Sequence, residues 1–266
     1  LVKQALENLD KVKLVAAVHV ETSTGVVQPM QPLAELAHAK GALFLADAVT
    51  SLGGVDVRID DWGIDICYSA TQKCVGSPPG MSPITLSPNA VEAMRSRQNK
   101  VQSFYLDLQL LEKYWLTDHV YHHTASMSMI YGLREALLML VEEGLEDRFA
   151  RHSLNAQALK AGLRELGMGV LAEEEFQAPQ LTAALIPEGL DEAKVRRALL
   201  NEYGIEIGGG LGSLAGKVWR IGLMGESSKS SHVLNLLQAL ESLLARENYK
   251  FDVGSSLSAA QKVFAS

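Results

Sequence analysis

Apolar positions in the first quarter of the chain fall into short, nearly unbroken runs: residues 13–20 (KLVAAVHV), 42–49 (ALFLADAV) and 65–70 (DICYSA). Between the first two, residues 32–41 (PLAELAHAKG) repeat their apolar positions at helical spacing and stop at Gly41. Strands covered on both faces read as continuous apolar runs rather than as alternation, and parallel neighbours need a crossover helix between them. The pattern therefore predicts an α/β domain with a mainly parallel sheet and right-handed crossovers.

Further along, residues 125–144 (ASMSMIYGLREALLMLVEEG) are amphipathic, with Thr124 as the expected N-cap and Gly144 as the stop. Residues 145–167 predict a second helix closed by Gly167, and the pair is expected to connect two domains. Beyond them, strands are predicted over 181–187, 205–208 and 217–223, a helix over 191–204, and a last helix ending near Glu247. This reads as a smaller α+β domain. The expected division is a large domain over 1–143, a small one over 144–248 and a tail over 249–266. The tail mixes Gly, Ser and Ala with isolated aromatics, predicts no element and is expected to be mobile. At the other end, LVKQALENL has helical spacing from its first residue, with no initiator Met and no N-cap. The sequence is therefore expected to begin inside a longer protein, leaving the sheet incomplete on its N-terminal side.

Composition narrows the classes. The chain has 266 residues, 47% hydrophobic and 21% charged, as ordinary globular proteins do. Its 31 acidic and 24 basic residues give a net charge of -7, with no basic block to neutralise a row of phosphates, so nucleic acid is not an expected partner. Two cysteines, Cys67 and Cys74, are too few for a disulfide framework, and no apolar run approaches the ~20 residues of a membrane span. A reducing cytoplasm, away from membranes, is the expected setting.

Open α/β sheets bind ligands beyond the carboxyl ends of their strands, and three such ends carry polar residues here. One leads into Glu21, Thr22, Ser23, Thr24 and Gly25, one ends at Asp47, and one leads into Thr71, Gln72 and Lys73. A lysine is ordinarily a solvated surface residue. Lys73, however, follows a buried strand and precedes Gly76, Pro78, Pro79 and Gly80, a stiff turn suited to holding an amine in place. An amine held in a cleft loses its proton more readily and attacks an aldehyde. Asp47 reads either as a turn or helix cap or as a carboxylate for a ring nitrogen. Arg220 interrupts the apolar strand KVWRIGL, so either a structural acid or a ligand carboxylate must satisfy it.

Other candidates point elsewhere. His119, His122 and His123 lack the partners and spacing of a zinc site, so no metal is expected. GGGLGSLAG does not match a dinucleotide fingerprint. Cys74 lacks an evident base and reads as inert packing.

Taken in order, HVETSTGVVQP, ALFLADAVTSLGG, SATQKCVGSPPG, YHHT, GGGLG and GKVWRIGLMG resemble the alanine–glyoxylate and serine–glyoxylate aminotransferases of class V, over nearly the whole chain to about Glu247. The resemblance implies a fold-type I enzyme in which Lys73 carries pyridoxal 5'-phosphate as a Schiff base and shuttles a proton, while Asp47 binds the pyridine nitrogen. It places Thr22 near the cofactor's phenolic oxygen, Gln72 beside the phosphate, and Tyr121 and Thr124 at the phosphate of a neighbouring subunit, hence a homodimer with shared sites. Arg220 would clamp the carboxylate of the amino-acid or 2-oxo-acid substrate. The implied reaction moves an amino group from alanine or serine to glyoxylate by a ping-pong cycle. Compared with the family, the region before HVETSTG that supplies a phosphate-binding turn and a stacking ring is missing. A cysteine desulfurase, a class V relative, has His before the lysine where this chain has Gln72. A non-catalytic chain needing a partner segment is the remaining reading.

Overall fold

The computed structural model describes all 266 residues, Leu1–Ser266. The N-terminal part contains α1 (Val2–Glu7), β1 (Leu14–Val18), a small hairpin of β2 (Val20–Glu21) and β3 (Val26–Val27), α2 (Met30–Ala39), β4 (Leu43–Asp47), β5 (Ile66–Tyr68) and β6 (Ile84–Leu86). After α3 (Pro88–Arg95) and α4 (Leu108–Trp115) come the long helices α5 (Met127–Glu143) and α6 (Leu145–Glu165), which break at Gly144. The C-terminal part holds β7 (Leu181–Leu185), α7 (Glu192–Tyr203), β8 (Gly208–Gly209), β9 (Val218–Gly222), α8 (Ser230–Arg246) and α9 (Ser255–Ala265).

The first sheet has the order β1-β4-β5-β6; β1, β4 and β5 run parallel, and β6 closes the edge antiparallel. Its register aligns Val18, Asp47 and Tyr68 in one row at the carboxyl ends of the parallel strands. Helix α2 lays Met30, Leu33, Ala34 and Ala37 against Phe44 and Ala46, forming one hydrophobic core. Asp65 fixes the start of β5: its carboxylate accepts from Phe44 N, His38 and Ser87 Oγ. Burial alone would raise that carboxyl, but these hydrogen bonds win and hold it below its usual range.

The opposite face departs from the expectation that both faces are covered. Burial alternates along β4 and β5, and β1 alternates between exposed and half-buried positions. Leu14 and Val18 stay exposed, as does Ile84 on β6. An apolar run alone cannot tell a two-sided environment from a one-sided one, and here α2 covers only the Phe44 face.

In the C-terminal part a three-stranded antiparallel sheet, β7-β9-β8, packs with α6, α7, α8 and α9 around Trp219, Leu159, Leu163, Leu237 and Leu240. Gly162 on α6 is required by this packing, since a Cβ there would meet Leu237 at 2.4 Å and the Ser256 carbonyl at 3.0 Å.

Three local expectations are corrected. The 249–266 tail is not loose: residues 255–265 form α9, with Ala260 wholly buried. Glu241 of α8 receives Gly254 N, Ser256 N and Ser256 Oγ, so a buried acid on another helix caps a segment whose own composition gives little signal. Thr124 is not an N-cap; α5 begins after Ser126, and the Thr124 hydroxyl pairs with Tyr121 instead. Finally, the strand predicted over 205–208 is reduced to Gly208–Gly209, because only these residues reach β9.

Candidate active site

Asp47 ends β4, where the chain turns away from the sheet. Its Oδ1 accepts from Val49 N at 2.8 Å and its Oδ2 from the Tyr68 hydroxyl at 2.6 Å. Tyr68 lies directly across the parallel pairing, on the same face of the sheet. The hydrogen bond to Asp47, then burial, push the Tyr68 phenol up to about 12, so it stays a donor. The carboxylate is thus fixed in orientation and half-buried on the open side of the sheet.

Lys73 lies two residues beyond buried Thr71, in a turn built from short local bonds. Thr71 Oγ1 donates to the Pro78 carbonyl, Ser77 N to the Thr71 carbonyl and Gly76 N to the Lys73 carbonyl. The Lys73 side chain is half-buried and enters no ion pair, whereas Gln72 is exposed. Cys74 beside it is wholly buried and packs its sulfur on the Thr50 carbonyl at 3.3 Å. Burial pushes its thiol up to about 12, and that of Cys67 to about 11, so neither is a nucleophile at neutral pH.

What anchors this turn comes from far along the chain. Arg148, 1% exposed on α6, donates from Nε to the Gly53 carbonyl, from Nη2 to the Cys74 carbonyl and from Nη1 to Glu143. One guanidinium thereby ties the turn after β4, the Lys73 turn and the end of α5 together. Arg151 also pairs with Glu143 and donates to the carbonyls of Gly225 and Ser228. The His152 ring, kept neutral chiefly by burial, accepts from Gly225 N at Nε2 and donates from Nδ1 to the Arg148 carbonyl. Glu143 is a near neighbour, but Gly53, Cys74, Gly225 and Ser228 lie 73 to 95 residues from the side chains that hold them, beyond the reach of any local pattern.

Thr22 and Arg220 come together although 198 residues separate them: Arg220 Nη1 reaches the Thr22 carbonyl at 3.5 Å, and its Nε donates to the Gly209 carbonyl at 2.8 Å. Neither partner is an acid, and Arg220 is in no ion pair. The turn bearing Thr22 closes at Gly25 (φ +73°), where a Cβ would meet the Leu181 carbonyl at 2.9 Å, so glycine lets it dock on β7. Tyr121 and Thr124 share a hydroxyl contact of 3.0 Å on the surface and make no hydrogen bond to Asp47, Lys73 or Arg220. Nearby, His122 stacks on Phe104 at 4.3 Å and bonds to its carbonyl, a packing role.

The donor set fits pyridoxal phosphate in kind: an amine without a counter-charge, a carboxylate held in orientation, and a cation that lacks an acid. Three surface grooves, of about 550, 510 and 710 Å³, are lined by none of Lys73, Asp47 or Arg220. Each of the three is half-buried.

The aminotransferase class-V family profile matches residues 2–227. The (S)-ureidoglycine–glyoxylate transaminase of Bacillus subtilis is 39% identical over 272 residues, covering 96% of this chain and 65% of the relative. The chain thus spans just under two thirds of that relative's length. Among solved structures, the ureidoglycine–glyoxylate aminotransferase of Bacillus subtilis superposes with a TM-score of 0.95 at 40% identity, covering 100% of this chain and 68% of that one. The alanine–glyoxylate aminotransferase of Nostoc sp. gives 0.89 at 47% identity, covering 91% and 64%.

Proposed function

The chain belongs to the aminotransferase class-V family, and from that premise we propose that it holds pyridoxal phosphate on Lys73 and moves an amino group from alanine or serine to glyoxylate. The observation that carries the reading is Arg220: a half-buried guanidinium, beside Thr22, whose only hydrogen-bond partners are backbone carbonyls. A substrate carboxylate supplies the missing counter-charge through a bidentate pair. The names of the relatives share glyoxylate and differ in the donor, which supports glyoxylate as acceptor and adds ureidoglycine as a donor to test.

Each side chain then has a task. Lys73 Nζ provides the amine for covalent attachment and afterwards takes and returns the proton at the substrate's α-carbon. Asp47, oriented by Val49 N and Tyr68, would hold the proton on the ring nitrogen. Bound there, pyridoxal phosphate supplies an aldehyde and an electron-withdrawing ring. Thr22 would hold the phenolic oxygen and Gln72 the phosphate. Tyr121 and Thr124, exposed and adjacent, serve the phosphate of a second copy, which makes the working form a two-fold dimer. Both thiols are free and buried, in keeping with a reducing cytoplasm, and no helix is long and apolar enough to cross a membrane. A desulfurase needs a reactive thiol, which neither Cys67 nor Cys74 offers.

Single-turnover assays with pyridoxal phosphate, glyoxylate and each donor in turn test this. Glycine is expected with at least one donor, and Arg220→Gln raises KM for glyoxylate about 10- to 100-fold, the loss of roughly 1.4–2.8 kcal/mol of carboxylate binding. Cofactor binding without glycine from any donor contradicts the proposed reaction.

A further inference from the structure

Far from Lys73 in sequence, α6 presents a second lysine in an unusual setting. Lys160 is only 8% exposed, yet its ammonium has a single acceptor, the Ala178 carbonyl at 3.3 Å. The other charged side chains lining the same groove are Arg164 and Glu174. Arg164 lies four residues on, on the same helix face, and adds a second positive charge. Glu174 is exposed and pairs with neither cation. Burial, with Arg164 nearby, pulls the Lys160 amine down to about 8, as expected for a cation without a counter-charge. Buried charges are ordinarily paired, because desolvation without a partner is costly. Here the missing partner faces a groove of about 510 Å³ whose rim adds the polar side chains of Ser153, Gln157 and Gln177.

We propose that this groove is a binding site for a small oxyanion, a carboxylate or a phosphate, held by Lys160 and Arg164. An ammonium offers three donors, of which the Ala178 carbonyl uses one, and a guanidinium forks onto two oxygens of one anion. The site reaches the rest of the fold through the 177–178 segment. Gln177 bridges to Val26, and Ala178 N donates to the Gly25 carbonyl at 2.8 Å. An anion on Lys160 therefore stiffens the segment on which the Thr22–Gly25 turn rests. This proposal stands on its own geometry and does not depend on the transamination reading.

Thermal unfolding of the full chain, titrated separately with inorganic phosphate and with acetate against sodium chloride of equal ionic strength, tests it. A saturable rise in Tm is expected with one or both anions but not with chloride. Response to phosphate alone or to acetate alone identifies the oxyanion class. Lys160→Met keeps the aliphatic stem and removes the charge; it is expected to weaken anion binding about tenfold or more and to leave Tm without anion unchanged or higher. Arg164→Gln, on an exposed position, is expected to weaken binding severalfold and carries the test if Lys160→Met does not fold. The proposal is overturned if neither anion shows a saturable effect, if chloride matches them, or if the response persists unchanged in the variants.

Discussion

Around Trp219 the apolar positions of β7 and β9 meet side chains from α6, α7 and α8, and Trp219 itself is 0% exposed. On the parallel sheet the Phe44 face is sealed in the same way, but Val18, at 39% exposure, shares its face with Asp47 and remains open. Equally apolar strands thus end in unequal surroundings. Hydrophobic pattern along a strand therefore does not by itself decide whether one face or both are covered. Asp47, proposed to hold the ring nitrogen, stands on the open side.

Truncation on the two sides should separate them most sharply. Trp219→Ala is expected to cost about 3–5 kcal/mol, while Val18→Ala costs less than about 1 kcal/mol, because only the first opens a cavity. Urea unfolding reads both, and a Val18 effect as large as that of Trp219 would erase the contrast.

Between the two regions lies the Glu143–Arg148–Arg151 cluster. Glu143→Gln leaves the buried Arg148 guanidinium with only the longer contact to Glu226, at 3.9 Å, and is expected to cost about 3 kcal/mol. Hydrogen bonding from Arg151, outweighing burial, holds the Glu143 carboxyl at about 2 instead of 4.5. As pH falls from 4.5 towards 2 the unfolded chain takes up this proton first, so stability that is fully present above 4.5 is lost across that window. Unfolding measured from pH 6 to 2 should show a flatter dependence in Glu143→Gln. An identical slope would mean that Glu143 is not held below its ordinary value by Arg151 and Arg148.

The smallest expected effect lies on the open side itself. Tyr68→Phe removes one donor to Asp47 Oδ2 and should lower stability by about 1 kcal/mol. Equilibrium titration with pyridoxal phosphate should show severalfold weaker binding, since Asp47 loses part of its orientation. Unchanged affinity would remove Tyr68 from the site.

Much of this was legible in the sequence. Lys73, Asp47 and Arg220 stood out because each places a charge at the end or middle of an apolar strand. Tyr68 did not, because its role depends on parallel register, which pairs it with Asp47 across 21 residues. Arg148 was hidden for a similar reason, its three partners lying on separate turns. Helix α9 escaped notice because it is stabilised by Glu241 and by packing against α6 and α8 rather than by its own pattern. In each case the missing signal was tertiary.

Everything proposed for the site depends on Lys73 being the amine that takes the cofactor. Incubating the purified chain with pyridoxal phosphate, reducing with borohydride and mapping the modified peptide tests it most directly. The adduct is expected on Lys73 and is expected to be lost in Lys73→Ala. An adduct confined to Lys160 or to surface lysines, with Lys73 unmodified, would contradict it.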